Sequence, residues 1–397
     1  MLGRSSWFFF AFFMALPLST HIFCRVVDNF GDIGVCWRLA RQLHAEHAVA
    51  VTLWVDDLRS FQRLCRAIDV TKTRQQVEGV EVRYWSPDST DWQHVAMPEL
   101  VIEAFACDLP DAYVAAMAQA SRKPVWLNLE YLSAEAWVEG CHALPSPHPV
   151  LPLTKYFFFP GFSKATGGLL READLLERRD AFQASRAVRN RFLDGLGVDT
   201  GKLGQASLVS LFCYPNAPVT SLFDAWTRSS KAVLCLVPEG VAMEQVGHFV
   251  QQVPHAGAAM TQGQLTVQVI PFLDQSDYDR LLWSCDLNLV RGEDSMVRAQ
   301  WAGRPFVWQI YPQQEDAHWP KLGAFLDRYV QGMPTGLAAV LRDVWLQWNG
   351  APAKRGDWDS LQVSLPALSA HARSWVSQLI VNGDLASNLL RFTAKIG

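Results

Sequence analysis

The sequence lacks the features that mark several large classes of protein. Its eight cysteines form no CxxC pair, and several lie within apolar runs, which is typical of reduced, buried thiols and not of a disulfide framework. No long run of one charge is present, since 35 Lys and Arg stand against 39 Asp and Glu for a net charge of −4. This balance gives no support for binding to nucleic acid or to a membrane surface.

Several catalytic motifs are absent as well. The chain has no HExxH, GxSxG or GxxxxGK[ST] motif, which disfavours a zinc hydrolase, a serine hydrolase and a P-loop enzyme. Two DxD triplets, at 277–279 and 357–359, have a pattern that can hold a metal ion. However, Ser276 and Asp279 fit a helix capping box, and the second triplet lies in a predicted loop, so we expect no metal.

The N-terminus carries a short apolar segment. Arg4 followed by residues 7–18 resembles a signal sequence, but 12 residues are too few to span a bilayer and no clear cleavage site follows. Residues 21–27, directly after it, are needed as the first core strand. We therefore expect residues 1–20 to be a poorly packed, non-native extension from an upstream start codon, and the protein to be cytoplasmic.

What the sequence does contain is a repeated alternation of strand and helix patterns. Its 397 residues, half of them hydrophobic, are enough for two or three domains with sizeable cores. Strand-like runs alternate with helical segments from residue 21 to about 129, and again from 207 to 308. A glycine-rich stretch at 195–204 predicts a connection between two domains.

The two alternations predict an α/β fold with two doubly wound, Rossmann-like domains facing a cleft. We expect an N-terminal domain over residues 21–194, a C-terminal domain over 205–360, and helices over 361–397 that pack back toward the N-terminal domain. This is the architecture of GT-B glycosyltransferases. It also suits some epimerases and two-domain binding proteins, so the fold alone does not name the function.

One strand-to-helix turn in the second half has unusual chemistry. It follows a buried strand at 287–290, precedes a predicted helix at 296–302, and consists of Arg291, Gly292, Glu293, Asp294 and Ser295. A glycine that permits a tight bend, a helix N-terminus and an arginine together favour a phosphate. Glu293 and Asp294 would repel a bare phosphate. Either at least one of them faces a hydroxyl or a cation, or they only cap the helix.

The first strand-to-helix turn supplies two carboxylates. Asp28 and Asp32 flank Gly31, without the GxGxxG fingerprint of dinucleotide-binding dehydrogenases. They can hold a cationic acceptor or act as a general base. The alternative is that Asp28 ends a strand and Asp32 caps a helix beginning at Ile33.

Three aromatic residues follow strands in the second half: Phe212, Tyr214 and Phe272. Aromatic rings at the carboxyl ends of strands can stack on a nucleobase. A single such ring often packs only on the core, but three at similar positions in one domain favour nucleotide binding.

Five long strings in this chain resemble one known family. They are DNFGDIGVCWRLARQL at 28–43, NLEYLSAEAWV at 128–138, FFFPGF at 157–162, LFCYPNAP at 211–218, and RGEDSMVRAQWAGRPFVWQIYPQ at 291–313. The family is that of the bacterial elongation factor P arginine rhamnosyltransferases, the EarP family. The resemblance implies a GT-B fold, dTDP-β-L-rhamnose as donor, and one arginine of elongation factor P as acceptor, modified with inversion at the anomeric carbon. It implies no cofactor.

The resemblance also implies roles for single residues. Asp32 resembles the general base, Asp28 a second essential carboxylate, and Glu293 a catalytic residue on the donor side. The positions that match donor contacts are Phe212, Tyr214, Phe272, Gln275, Arg291, Gly292, Asp294 and Ser295. Two alternatives stay open: a GT-B enzyme with another nucleotide sugar or acceptor, and a non-catalytic protein that binds a nucleotide sugar.

Overall fold

The described part of the chain begins with a core strand. The computed structural model describes residues 19–28, 30–86, 92–201, 203–351 and 356–397. Strand β1 spans Ser19–Cys24, so Ser19 and Thr20 belong to the sheet and not to the extension predicted for 1–20. Both residues hydrogen-bond at the edge of the next core strand, Ser19 N to the Glu99 carboxylate and Thr20 Oγ1 to Leu100 O. Residues 1–18 of that extension lie outside the described residues.

Eight strands form the first sheet among the described residues. They are β1, β2 Ala50–Val55, β3 Arg74–Val77, β4 Val80–Tyr84, β5 Leu100–Ala104, β6 Val125–Leu129, β7 Pro145–Pro147 and β8 Thr154–Phe158. Their order is β3-β4-β2-β1-β5-β6-β8-β7. All neighbours pair in parallel except β3 with β4 and β7 with β8. β5 is buried throughout, as expected for a strand with both faces covered.

The described helices of the first half are α1 Gly31–His47, α2 Leu58–Leu64, α3 Asp111–Gln119, α4 Trp137–Cys141, α5 Leu175–Ala184 and α6 Arg186–Gly195, with a 3₁₀ turn at Trp92–His94. The last two pack on the second half, since Leu175, Phe182 and Leu193 lie in the core of the second sheet. On α1, Ile33, Cys36, Leu39, Ala40 and Leu43 are fully buried. Their spacing of three or four residues makes one apolar face, which packs in the core of the first sheet.

The second half repeats this architecture, as predicted. Its strands are β9 Ser207–Leu211, β10 Val233–Pro238, β11 Ala259–Gln262, β12 Leu265–Ile270, β13 Leu287–Arg291 and β14 Phe306–Gln309. Their order is β11-β12-β10-β9-β13-β14, and only β11 with β12 is antiparallel. The short antiparallel edge strands of both sheets were not predicted.

The remaining helices follow or cover the second sheet. They are α7 Val219–Thr227, α8 Met243–Val250, α9 Gln275–Ser284, α10 Asp294–Trp301, α11 His318–Tyr329, α12 Thr335–Trp348, α13 Trp358–Val363, α14 Leu365–Ile380 and α15 Leu385–Ile396, with a 3₁₀ turn at Gln314–Asp316. The loop predicted over 350–359 is shorter than expected, because Asp357 accepts a hydrogen bond from Ser360 N and caps α13. Among the described residues, no helix is long and apolar enough to cross a membrane.

The two C-terminal helices belong to different cores. Leu368, Trp375 and Leu379 of α14 pack in the core of the second sheet. Leu385 and Leu389 of α15 pack in the core of the first sheet. The chain therefore ends by returning to its first half.

Strand order determines where a crevice opens. In the first sheet β1 lies between β2 and β5, and in the second sheet β9 lies between β10 and β13. The chain therefore adds strands first on one side of β1 or β9 and then on the other side. Ligands of such sheets bind outside the carboxyl ends of the strands at the point of divergence. The two crevices face each other, because a Cβ added to Gly292 after β13 would lie 2.8 Å from Asp28 Oδ2 after β1.

Candidate active site

Asp32 is held by groups outside its own helix. Its Oδ2 accepts hydrogen bonds from the backbone N–H groups of Val27 (2.8 Å) and Asp28 (2.9 Å), and its Oδ1 accepts one from the hydroxyl of Tyr131 (3.1 Å). Because α1 begins at Gly31 and not at Ile33, Asp32 lies within the first turn. The interpretation of Asp32 as a helix cap is therefore wrong.

Asp28 lies where the two halves of the molecule meet. Its Oδ2 accepts a hydrogen bond of 2.5 Å from Tyr214 Oη, which follows β9 in the second half. Burial raises the pKa of Asp28, and the charge of Asp32 adds to this effect. The Tyr214 hydrogen bond and the charge of Arg291 lower the pKa, but the net shift is upward. Asp28 therefore carries polar contacts that a simple strand-ending residue does not need.

The turn after β13 has the tight geometry that its glycine predicts. Gly292 has a φ of +62°, and its carbonyl oxygen accepts a hydrogen bond of 2.8 Å from Trp308 Nε1. Glu293 precedes α10 but makes no side-chain capping bond. Asp294 instead accepts a hydrogen bond of 2.8 Å from Arg38 Nε of α1. The interpretation of these acids as helix caps is therefore wrong, and they serve other contacts.

Arg291 lies among aromatic rings. Its guanidinium carbon is 4.6 Å from the ring centroids of both Phe212 and Tyr214, and 5.6 Å from that of Phe30. The guanidinium also donates to Cys213 O at 3.4 Å. Stacking of this kind holds a planar cation in place while leaving its outer N–H groups available.

Two of the three predicted aromatic residues, Phe212 and Phe272, line one cavity between the two halves together with Phe30, whereas Tyr214 does not line it. The ring centroid of Phe30 lies 5.3 Å from that of Phe272 and 6.4 Å from that of Phe212. The cavity between them has a free volume of about 40 Å³, against about 300–1,000 Å³ for small-molecule sites. The rings of Phe30, Phe212 and Phe272 therefore pack on one another around this cavity.

Gln275 and Ser295 also line this cavity. The Gln275 side chain is engaged by α1, donating to Gly34 O at 2.9 Å and accepting from Arg41 at 3.1 Å. Ser295 is the second residue of α10 and is buried. The structure thus brings the proposed donor-binding residues together, while Gln275 and Asp294 also bind residues of the first half.

Glu293 lies beside the cavity-lining residues Gly292 and Asp294, and its pKa is shifted upward. Burial raises the pKa of Glu293 to about 7, although the charge of Lys321 and the backbone N–H of Leu132 lower it. The neighbouring carboxylates of Asp32 and Asp294 raise it further. A carboxyl group with this pKa changes its charge near neutral pH.

The family follows from a comparison with known proteins. A family model described as Elongation-Factor P (EF-P) rhamnosyltransferase EarP matches residues 20–394 of this chain. The chain belongs to the EarP family. The resemblance of the five sequence strings is thereby confirmed.

Named relatives agree with this membership of the EarP family. A protein-arginine rhamnosyltransferase of Pseudomonas putida is 51% identical over 372 residues, which cover 94% of this chain and 97% of the relative. A protein-arginine rhamnosyltransferase of Neisseria meningitidis is 36% identical over 392 residues, covering 96% and 98% of the two chains. The matches therefore extend over nearly the full length of both partners.

Solved structures confirm the predicted GT-B glycosyltransferase fold. One, from work on the structural basis for EarP-mediated arginine glycosylation of translation elongation factor EF-P, is 36% identical and superimposes with a TM-score of 0.66, covering 96% of this chain and 99% of that one. The spinosyn rhamnosyltransferase SpnG complexed with thymidine diphosphate has a TM-score of 0.50 at 12% identity, over 94% and 98% of the chains. The second likeness concerns the fold alone.

In the first DxD triplet of this EarP-family chain, Asp279 forms buried ion pairs that its local sequence does not predict. Asp279 is buried and accepts hydrogen bonds from Arg38 and from Arg298 of α10. The predicted capping box is wrong, because the residue that caps α9 is Asp274, which accepts from Asp277 N at 2.9 Å. Among the described residues, no group of three His, Cys, Asp or Glu side chains is arranged to hold a metal ion.

Several site residues of this EarP-family member escaped the sequence analysis. Phe30, Arg38 and Tyr131 contact residues that were predicted, and the charge of Lys321 lowers the pKa of Glu293. A signal existed for Tyr131, since it stands two residues after the buried strand β6, as Tyr214 follows β9. Arg38 and Lys321 lie within helices, and nothing in their local sequence indicates the cleft.

Proposed function

We propose that this protein transfers rhamnose from dTDP-β-L-rhamnose to a guanidinium nitrogen of one arginine of elongation factor P, with inversion at the anomeric carbon. The observation that supports this most directly is the meeting of two unlike turns. The turn after β1 carries Asp28 and Asp32, and the turn after β13 carries Arg291 and a helix N-terminus, with Tyr214 bonded to Asp28 between them. Membership of the EarP family supports the same reaction.

The carboxylate turn suits an arginine acceptor. A guanidinium remains protonated far above neutral pH, so its nitrogen is a poor nucleophile until a proton leaves. Asp28 and Asp32 bind the cation by charge-assisted hydrogen bonds, and Asp32 accepts the proton as the nitrogen attacks. The new bond joins the nitrogen to the anomeric carbon, and the bond between that carbon and the diphosphate oxygen breaks with its electron pair leaving on dTDP.

The second turn suits the leaving dTDP. The N–H groups at the start of α10 and the Arg291 guanidinium bind the growing negative charge of the diphosphate. Positive charge develops on the sugar at the same time, by analogy with glycoside hydrolysis. Glu293 lies in this second turn, between Arg291 and the start of α10, and it supports the sugar side. Phe212, Tyr214 and Phe272 bind the nucleobase.

This reaction defines a biological setting. Modification of elongation factor P activates it for the rescue of ribosomes stalled at polyproline runs. Because the acceptor is a translation factor, we place the enzyme in the cytoplasm. The partners are then the acceptor protein and the nucleotide sugar, without nucleic acid or membrane.

Mass spectrometry of the acceptor tests the proposal. Elongation factor P is incubated with the protein and dTDP-β-L-rhamnose, and the expected product carries one deoxyhexose on one arginine. Asp32→Asn is expected to abolish transfer while donor affinity, measured by calorimetry, stays near the wild-type value. Asp180→Asn is the matched control, because Asp180 is exposed on α5, and it should transfer normally.

Three outcomes would contradict the proposal. Transfer from another nucleotide sugar but not from dTDP-rhamnose would support a different GT-B enzyme. Donor binding without transfer to elongation factor P would support another acceptor or a non-catalytic binding protein. Loss of donor affinity in Asp32→Asn would refute its assignment as the base.

A further inference from the structure

Asp32 has two oxygen atoms in different environments. Oδ2 accepts two backbone N–H groups, which occupy both of its lone-pair directions. Oδ1 accepts one hydrogen bond, which comes from the Tyr131 hydroxyl. Among the described residues, no other side-chain hydroxyl donates to it. One lone pair of Oδ1 is thus left for a further donor. Oδ1 is therefore the oxygen that can take a proton from an acceptor.

The ring of Tyr131 is itself supported. It stacks on Phe105 with a centroid distance of 4.3 Å and an interplanar angle of 15°. Phe105 has a φ of +58°, a conformation that bulky residues rarely adopt. Hydrogen bonds from Phe105 N to Leu129 O (2.7 Å) and from Ala106 N to Asn128 Oδ1 (3.0 Å) hold this backbone. Strained backbone that is fixed by its surroundings is concentrated at functional sites.

The same segment reaches the second turn. Leu132, the next residue, interacts through its backbone N–H with the Glu293 carboxylate. The Lys321 ammonium of α11 lies 5.5 Å from the centroid of the Tyr131 ring, and its charge lowers the pKa of Glu293. Two consecutive residues therefore contact the carboxylates of both turns: Tyr131 contacts Asp32, and Leu132 contacts Glu293.

We propose that Tyr131 is a positioning residue for transfer: its hydroxyl fixes the Asp32 carboxylate so that the free lone pair of Oδ1 faces the acceptor nitrogen. The proposal rests on the function proposed above. Tyr131 keeps its proton throughout, because burial and the nearby carboxylates raise its pKa above the ordinary value. The proton of the acceptor passes to Asp32 Oδ1, while the Tyr131 hydroxyl stays a donor.

The test separates the hydroxyl from the ring. Tyr131→Phe keeps the stack on Phe105 and removes only the hydrogen bond. We expect kcat for rhamnose transfer to fall about 10- to 100-fold, since a hydrogen bond to a charged group is lost. The affinity for dTDP, measured by calorimetry, and the melting temperature should stay at wild-type values. Tyr84→Phe, on the partly exposed Tyr84 of β4, is the control and should leave all three unchanged.

A second variant distinguishes positioning from support of the fold. Tyr131→Leu loses the stack as well, and we expect a lower kcat than in Tyr131→Phe together with a lower melting temperature. Wild-type kcat in Tyr131→Phe, or equal losses of kcat and dTDP affinity, would overturn the inference. Absence of transfer by the wild-type enzyme would instead refute the proposed function, so the two failures are distinguishable.

Discussion

The Tyr214 hydroxyl donates a hydrogen bond of 2.5 Å to Asp28 Oδ2. The two residues follow strands of different sheets, β9 and β1. A hydrogen bond to a carboxylate in a partly buried site is stronger than one in water. The orientation of Asp28 therefore depends on how the two halves of the enzyme meet.

Removal of the Tyr214 hydroxyl should reduce the rate. Tyr214→Phe keeps the ring that lies 4.6 Å from the Arg291 guanidinium. Because the lost bond is to a carboxylate, we expect kcat/KM to fall about 10- to 100-fold in initial-rate assays. Tyr311→Phe is the matched control, since Tyr311 is exposed and its ring contacts that of Tyr214 at 5.5 Å. Equal kcat/KM values for the two variants would contradict the role of the bond.

Gly292 should tolerate no side chain. Its φ is +62°, and a Cβ would lie 2.8 Å from Asp28 Oδ2 and 3.0 Å from Tyr214 Oη. We expect Gly292→Ala to lower kcat/KM more than about 100-fold by separating the two turns, and to cost about 1–3 kcal/mol in the free energy of unfolding. Both are measured on the same preparation, by transfer assays and urea unfolding.

The control for that substitution is Gly323→Ala. Gly323 lies within α11, and a Cβ there meets nothing within 4 Å. Alanine in a helix should raise the free energy of unfolding by about 0.5–1 kcal/mol with activity retained. Normal activity in Gly292→Ala would show that the close approach of the two turns is not needed.

Local patterns explain which parts of the site were predictable. Asp28 and Asp32 flank a glycine a few residues after β1, which ends at Cys24 and not at residue 27 as predicted. Arg291 ends β13, and residues 292–295 follow it, so a short sequence pattern indicates each turn. Topology places each turn at the carboxyl edge of its own sheet, and the predicted cleft between two such domains brings the two edges face to face. The alternation of apolar runs with helical segments likewise predicted both sheets, except for β8 and the short edge strands.

Distant partners explain what was missed. Asp279 was interpreted from its neighbour Ser276, but its partner Arg38 lies 241 residues away in the sequence. Arg38 also binds Asp294, 256 residues away. No local pattern encodes such pairs. The short edge strands β3, β7 and β11 were missed because three or four residues with few buried side chains give little periodicity.

A buried group of charges connects the helices that follow the two turns. Arg38 of α1 binds Asp279 at 3.1 Å and Asp294 at 2.8 Å, and Arg298 of α10 binds Asp279 at 2.6 Å and Glu172 at 2.7 Å. Burial alone would raise the pKa of Glu172, but Arg298 and Arg38 lower it to about 2. The group holds α1 and α10 in a fixed relation beneath the site.

Loss of Arg38 should be costly for stability. Arg38→Met keeps much of the side-chain volume but leaves buried carboxylates without their partner. We expect the free energy of unfolding to fall by about 3–5 kcal/mol in urea titrations. Lys72→Met, which breaks an exposed pair with Asp69, should cost about 0–1 kcal/mol. Similar values for the two variants would contradict the structural role of the buried group.

We expect Glu293 to make the enzyme sensitive to pH near neutrality. Its pKa is raised from 4.5 to about 7, so between these values the folded protein binds more protons at this group than the unfolded chain does. The contribution of Glu293 to the free energy of unfolding therefore decreases as pH rises through this window. If the ionised form acts in transfer, kcat/KM should rise with pH and level off above about pH 7.

Substitution of Lys321 should move this pH dependence in a known direction. The Lys321 charge lowers the pKa of Glu293, so Lys321→Met should raise that pKa and shift the acidic limb of kcat/KM to higher pH. The ratio of the variant's kcat/KM to that of the wild type should be lowest near about pH 6. It should approach one near about pH 9, where Glu293 is ionised in both proteins. Lys321→Arg retains the charge and should keep the wild-type profile. Rates measured for the three proteins across this range decide the matter, since superimposable profiles would show that Lys321 does not tune an ionisation required for transfer.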